Sequence, residues 1–127
     1  MTQWTTDELD RIGGAEELGV SSKRADGTDR PFVTIWVVRV GDELYIRSAY
    51  GTENPWFRRA TAVGAGRVQA GGVERDVTFT PVPVDDTATH EAVDAAYHAK
   101  YDHYGPRIVG PVVDAHSYPG TLRLITV

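Results

Sequence analysis

The densest run of residues with chemical potential lies from Arg47 to Arg59: Arg-Ser-Ala-Tyr-Gly-Thr-Glu-Asn-Pro-Trp-Phe-Arg-Arg. An apolar stretch delivers Arg47 and Ser48 into a loop containing Gly51, and Asn54-Pro55 opens a helix directly after it. The free N–H groups and positive dipole end of such a helix attract anions. Trp36, Tyr50 and Trp56 supply flat aromatic surface nearby in sequence, and Lys23, Arg24 and Arg30 flank an earlier turn. These residue types describe a pocket for a phosphate at one end and a flat ring at the other, because the arginine fork matches phosphate oxygens.

All four histidines fall in the last third of the chain: His90, His98, His103 and His116. On a helix, His90, Asp94 and His98 share one stripe, a spacing that can offer two imidazoles and a carboxylate to a metal. His90-Glu91 with Asp94 is only a variant of HExxH, and no third-ligand motif accompanies it, so the expectation is a solvated face and no metal site. His98 and Tyr101 are candidate proton donors beside a pocket, since histidine titrates near neutrality and a tyrosine can donate to a developing oxyanion. Other chemistries lack their residues. There is no cysteine, no GxxxxGK[ST] and no GxSxG, which removes thiolate metal sites, the phosphate loop of nucleotide triphosphatases and the hydrolase elbow. Gly64-Ala65-Gly66 is followed by Gln69 where a dinucleotide fingerprint needs glycine.

The 127 residues suit one domain, and a hydrophobic content of 41% suits a packed core. A net charge of −5 disfavours nucleic acid and acidic lipid as partners. That sum hides an asymmetry: residues 30–75 carry seven arginines against four acids, whereas both flanking segments are acidic. A local anion site in the middle is therefore compatible with an acidic protein. Met1 to Asp10 is polar and acidic, unlike a secretory signal, and the apolar run Phe32 to Val40 is far shorter than a membrane span, so a cytoplasmic protein is expected.

These side chains must be positioned by elements the sequence also announces. Thr5 and Glu8 form a capping box, with Trp4 and Leu9 as hydrophobic staple, for a helix stopped by Gly13-Gly14. Strands are expected at 17–23, 31–40 and 43–49, joined by turns at Asp26-Gly27 and Gly41-Asp42. The middle one is apolar on both faces and reads as a central strand buried on two sides. A helix from Pro55 presents Trp56, Phe57, Ala60 and Val63 inward and stops at Gly64 and Gly66. A hairpin over 67–70 and 73–81 turns at Gly71-Gly72. A longer helix over 87–104 carries Val93, Tyr97, Lys100, Tyr101 and Tyr104 on one side; the segment 107–117 reads as irregular; a last strand covers 122–127. The order implies a single antiparallel α+β domain over 1–127, with 1–14 as an accessory helix.

The run from Arg30 to Arg59, with Arg47-Ser48, Gly51, Pro55 and Trp56, resembles the split β-barrel superfamily, which includes pyridoxamine-phosphate-oxidase-like proteins and deazaflavin-dependent nitroreductases. Trp4-Thr5-Thr6-Asp7-Glu8-Leu9 and Gly71-Gly72-Val73-Glu74-Arg75-Asp76-Val77 are similar to a small bacterial branch of unknown function. The resemblance implies a mainly antiparallel six-stranded split β-barrel with N-terminal, middle and longer C-terminal helices. It also implies a homodimer binding FMN or a deazaflavin coenzyme at the subunit interface. The cofactor contacts it implies are Arg24, Gly27 and Arg30 in the first hairpin and Ser48, Tyr50, Gly51 and Asn54 before the middle helix. Arg47 would join the phosphate end, Trp36 or Trp56 would pack the ring, and His98 or Tyr101 would assist protonation. Where the oxidases carry a Ser-Arg-Lys clamp, this chain has Gly51, Thr52 and Glu53. The leading expectation is a small oxidoreductase moving a hydride to or from a small organic molecule. The alternatives are a cofactor-free barrel that binds or transforms such a molecule by acid–base chemistry, and a purely structural or regulatory dimer.

Overall fold

A computed structural model describes residues 3–49 and 51–127. Its helices are α1 (Thr6–Gly14), α2 (Pro55–Val63), α3 (Thr87–Tyr101) and α4 (Pro106–Val113). Its strands are β1 (Leu18–Ser22), β2 (Val33–Ile35), β3 (Val38–Val40), β4 (Glu43–Arg47), β5 (Ala65–Ala70), β6 (Val73–Pro81) and β7 (Thr121–Thr126). Short 3-10 turns cover Asp102–Tyr104 and Ala115–Gly120. The strands form one antiparallel sheet in the order β2-β1-β5-β6-β7-β4-β3.

The sheet has seven strands rather than six because the apolar run 31–40 is divided. Ile35 pairs with Leu18 at one edge and Val38 with Tyr45 at the other. Only Trp36 and Val37 connect these edges, and three Cα steps span about 11 Å at most. The sheet therefore curls until its edges lie side by side, a half-barrel. This corrects the expected central strand: Phe32 and Val33 lie on an exposed edge, 39% and 37% accessible.

Alternation along the strands builds two cores. Leu44 and Ile46 join Leu18, Val20, Val68, Val77, Leu122 and Leu124 in one cluster with residues of α1 and α2, while Tyr45 joins Val38, Val93, Tyr97, Tyr101 and Val109 in the other. The α1 cap forms as its residues dictate: Thr5 Oγ1 accepts from Glu8 N at 3.1 Å and Glu8 Oε1 from Thr5 N at 2.9 Å. That backbone bond, with Arg75 beside it, holds the Glu8 carboxyl below its usual range. Trp4 Nε1 donates to Leu124 O at 2.9 Å, fixing α1 against β7.

Some local expectations are corrected. The first helix includes Gly13 and Gly14. Val63 is exposed rather than inward. The long helix ends at Tyr101, and the segment read as irregular contains α4, started by Pro106 at its first position. His90 is fully buried, so the histidine stripe is a solvated face only at its His98 end. Among the described residues, no three His, Asp or Glu side chains group as a metal site, and no helix is long and apolar enough to cross a membrane.

At Gly66 the barrel wall closes tightly, since a Cβ there would sit 2.2 Å from Ser21 O and 2.8 Å from the Phe79 ring. Gly66→Ala is expected to destabilise the protein by about 3 kcal/mol. Urea unfolding measures this as a lowered midpoint, and stability equal to wild type would contradict the packing described.

Candidate functional site

The β1–β2 connection is a hairpin tip closed by the Lys23–Asp29 bridge and by Arg24 N donating to Thr28 O at 2.8 Å. Gly27, at φ 88°, makes the reversal that a side-chain-bearing residue resists. Asp26 accepts from Thr28 Oγ1 at 2.7 Å and Thr28 N at 3.0 Å, bonds that keep its carboxyl below the usual range. Arg24 Nη1 donates to Asp29 O at 2.8 Å, folding that side chain back over the hairpin.

Against this tip lies α2, where Trp56 and Arg59, three residues apart, share a face. Arg24, Arg30 and Arg59 line one hollow of about 280 Å³ with Ser22 and Trp56, and among the described residues no carboxylate lines it. Arg30, one of its lining residues, has an Nε that is buried without a hydrogen-bond partner. Buried polar N–H groups are nearly always satisfied, and the deficit is larger for a charged group.

Trp56 also borders a neighbouring hollow of about 280 Å³, with Ile35, Trp36, Asn54 and Ile108 among its walls. Trp36 is set by Tyr101, stacked on it at 3.9 Å and 4°. The Tyr101 hydroxyl donates to Glu16 O at 2.8 Å or Val37 O at 3.2 Å and accepts from Val37 N at 3.3 Å. Burial pushes this phenol far above its usual range. Tyr101 is thus a post beneath Trp36, bonded to backbone, and lines neither hollow. Lys100 donates to the same Val37 O at 2.7 Å, and desolvation lowers its amine to about 8. His98 is exposed and pairs with Asp102 at 2.8 Å, also away from both hollows.

Arg47 behaves differently from the phosphate ligand expected of it. Its side chain is fully buried, and every N–H has a partner within the chain. Nε donates to Thr121 Oγ1 at 2.9 Å, Nη1 to Asp94 Oδ1 at 2.5 Å and Val112 O at 2.8 Å, and Nη2 to His90 Nδ1 at 3.1 Å and His90 O at 3.4 Å. Because His90 Nδ1 accepts, its proton sits on Nε2, which donates to Pro83 O at 2.9 Å. Tyr118 closes the group by donating to Asp94 Oδ2 at 2.6 Å. No donor of Arg47 remains for a ligand.

Ser48 is fully buried on the same connection, its N donating to Gly120 O at 2.9 Å. Asn54 precedes α2 without a side-chain cap and lines the Trp36 hollow. Tyr50 lies outside the described residues. Gly51, at φ 90°, lines a third cavity of about 680 Å³, together with Glu53, Gly110, Pro111, Asp114 and His116. The structure therefore brings Arg24, Arg30 and Trp56 together, with Trp36 and Asn54 adjoining. Arg47 also lines the Trp36 hollow, Tyr101 meets it only through its stack on Trp36, Gly27 turns the Arg24 hairpin without lining either hollow, and Gly51 and His98 lie apart. Arg59, Asp114 and His116 were given no role by the sequence reading, although the helical spacing of Trp56 and Arg59 was a usable signal for the first.

A bacterial protein family, DUF2255, described as "Uncharacterized protein conserved in bacteria", matches residues 8–124. The chain belongs to this family. No curated protein matches this DUF2255 chain in sequence. Solved structures share its fold. An FAD-binding protein from Mesorhizobium loti is 17% identical with a TM-score of 0.61, the match covering 99% of this chain and 92% of that one. An F420 reductase is 14% identical with a TM-score of 0.55, covering 94% and 92%. An FAD and heme binding protein from Mycobacterium smegmatis is 21% identical with a TM-score of 0.53, covering 94% and 64%. At these identities the likeness establishes the fold, and the split-barrel resemblance of the sequence holds at that level.

Removing Arg47 takes the cationic partner from the half-buried Asp94 carboxylate, to which the Tyr118 hydroxyl still donates. Arg47→Met is expected to cost about 3–5 kcal/mol. Urea unfolding tests it, and wild-type stability would contradict the structural role assigned to this arginine.

Proposed function

We propose that this chain is a cytoplasmic oxidoreductase-like protein that binds FMN or a deazaflavin coenzyme, its phosphate held between Arg24, Arg30 and Arg59. The observation that carries the reading is the Arg30 guanidinium, its Nε without a partner, at a hollow that no carboxylate lines among the described residues. A phosphate oxygen is the natural acceptor for it, in a charge-assisted hydrogen bond. The fold is one whose solved examples include proteins described as FAD-binding and as an F420 reductase.

In this reading the protein's own residues bind, orient and exclude water. The three arginines neutralise the anionic end. Trp36, held flat by Tyr101, and Trp56 offer the ring its apolar walls, Asn54 supplies a polar group beside them, and Ile35 and Ile108 exclude water. When bound, the cofactor supplies hydride transfer to or from a small organic molecule. Tyr101 acts through Trp36 as a positioning residue.

The homodimer belongs to the same proposal. Phe32 and Val33 extend the exposed β2 edge, and Val33 itself lines the arginine hollow. A second copy of the chain docked there would enclose the phosphate end. Sedimentation velocity is expected to give a dimer that Phe32→Asp dissociates, and a wild-type monomer at micromolar concentration would remove this element.

The binding claim is tested by titrating FMN and a deazaflavin coenzyme while following fluorescence quenching. Saturable binding by one of them is expected, weakened about ten- to hundredfold by Arg30→Ala, the equivalent of about 1.5–3 kcal/mol for one charge-assisted contact. Absence of binding by both, or affinity unchanged in Arg30→Ala, would overturn the assignment.

A further inference from the structure

The cavity of about 680 Å³ beside Gly51 is the largest of the described hollows and differs in chemistry from the arginine hollow. Its walls come from the loop before α2, from α4 and from the turn after it. Glu53, Asp114 and His116 are its charged or titratable lining groups, and no lysine or arginine lines it among the described residues. The remaining lining is dominated by apolar or side-chain-free positions such as Ala49, Pro111 and Pro119. A volume in this range suits one small organic molecule.

Two features of α4 make the cavity more than a gap. Gly110 and Pro111 stand consecutively inside an eight-residue helix, and both line the cavity. They are the two poorest residues for a helix interior. No close neighbour accounts for the glycine: a Cβ at Gly110 would meet nothing within 4 Å. Local rules are most often broken at functional sites. Here the effect of the glycine is to keep the space empty of side chain.

The polar end opens to solvent, the His116 and Asp114 side chains being 88% and 56% exposed. Asp114 Oδ1 accepts from His116 N at 2.9 Å and pairs with His116 Nδ1 at 2.7 Å. These bonds hold the Asp114 carboxyl below the usual range, so it is ionised at neutral pH. With Nδ1 engaged by the carboxylate, Nε2 is the His116 ring nitrogen left outside that pair.

We propose that this cavity is a binding site for a small organic cation, an amine with an apolar body, whose ammonium is received by Glu53, Asp114 and His116. The apolar walls take the body of the molecule, and the two carboxylates discriminate against anions of the same shape. The site shares Ala49 with the Trp36 hollow, yet it binds without a cofactor there and stands independently of the flavin reading.

The test uses cofactor-free protein and three probes of one shape: benzylamine, benzyl alcohol and benzoate, followed by saturation-transfer NMR at pH 7.5. Benzylamine is expected to bind at least tenfold more tightly than benzoate, with benzyl alcohol between them. Gly110→Leu, which fills the cavity with a better helix former, is expected to weaken benzylamine at least tenfold while circular dichroism and melting temperature show the fold retained. Glu53→Gln changes an exposed side chain and is expected to narrow the benzylamine–benzoate gap several-fold. Benzoate binding as well as benzylamine, no transfer to any probe at millimolar concentration, or an unchanged affinity in both variants would overturn the proposal. Because no flavin is present, these outcomes are separate from those of the cofactor titration.

Discussion

Trp36 and Val37 carry the chain from one edge of the sheet to the other, outside any strand ladder, and Val37 is completely buried where they cross. Buried backbone groups without partners are costly, so something other than a neighbouring strand must satisfy them. The last turn of α3 does so. The Tyr101 hydroxyl accepts from Val37 N, and Lys100 and Tyr101 approach its carbonyl at 2.7 and 3.2 Å. Closure of the half-barrel and docking of α3 are thus one arrangement. The same tyrosine ring lies flat under Trp36, so the crossing also sets the aromatic wall of the adjacent hollow.

A second constraint is the fate of the arginines. Arg39, Arg67 and Arg75 pair with Asp10, with Glu74 and Asp76, and with Glu8 on partly exposed surfaces, where such pairs contribute little. Arg47 is used up inside the protein, bonding to α3, α4 and β7 from the end of β4. Arg24, Arg30 and Arg59 have no carboxylate within 4 Å among the described residues, and they meet at one place. Four of the seven arginines in the basic middle are therefore paired internally, and Arg30 and Arg59 are left with Arg24 at one hollow. The largest cavity, lined by Glu53 and Asp114, has the opposite character.

Elements governed by local chemistry were legible in the sequence. The α1 capping box, Pro55 opening α2, and Gly71-Gly72 turning β5 into β6 each depend on a few adjacent residues, and each is found as read. The division of 31–40 was not legible, because Val33, Trp36 and Val38 look alike as strand residues and only the closure of the barrel decides which of them pair. For α4, Gly110 and Pro111 argued against a helix, and the tertiary packing of Val109 and Val112 overrode that propensity. Within the site, Arg24 and Arg30 were readable from a turn beside a strand. Arg47 was placed beside the Trp36 hollow, but its bonding was not legible, because an arginine at a strand end looks the same whether it faces a ligand or a half-buried aspartate forty-seven residues away.

The proposed cofactor would lie across the two hollows that meet at Trp56, arginines lining one and Trp36 the other. The three tryptophans allow a direct test, since each contributes one indole N–H signal to a nitrogen-15 NMR spectrum. On titration with FMN or a deazaflavin coenzyme, the Trp36 and Trp56 signals are predicted to shift together and saturate. Trp4, whose indole is bonded to Leu124 O, should remain in place. Saturable binding that leaves Trp36 and Trp56 unmoved would contradict the account, as would the absence of any change with both compounds.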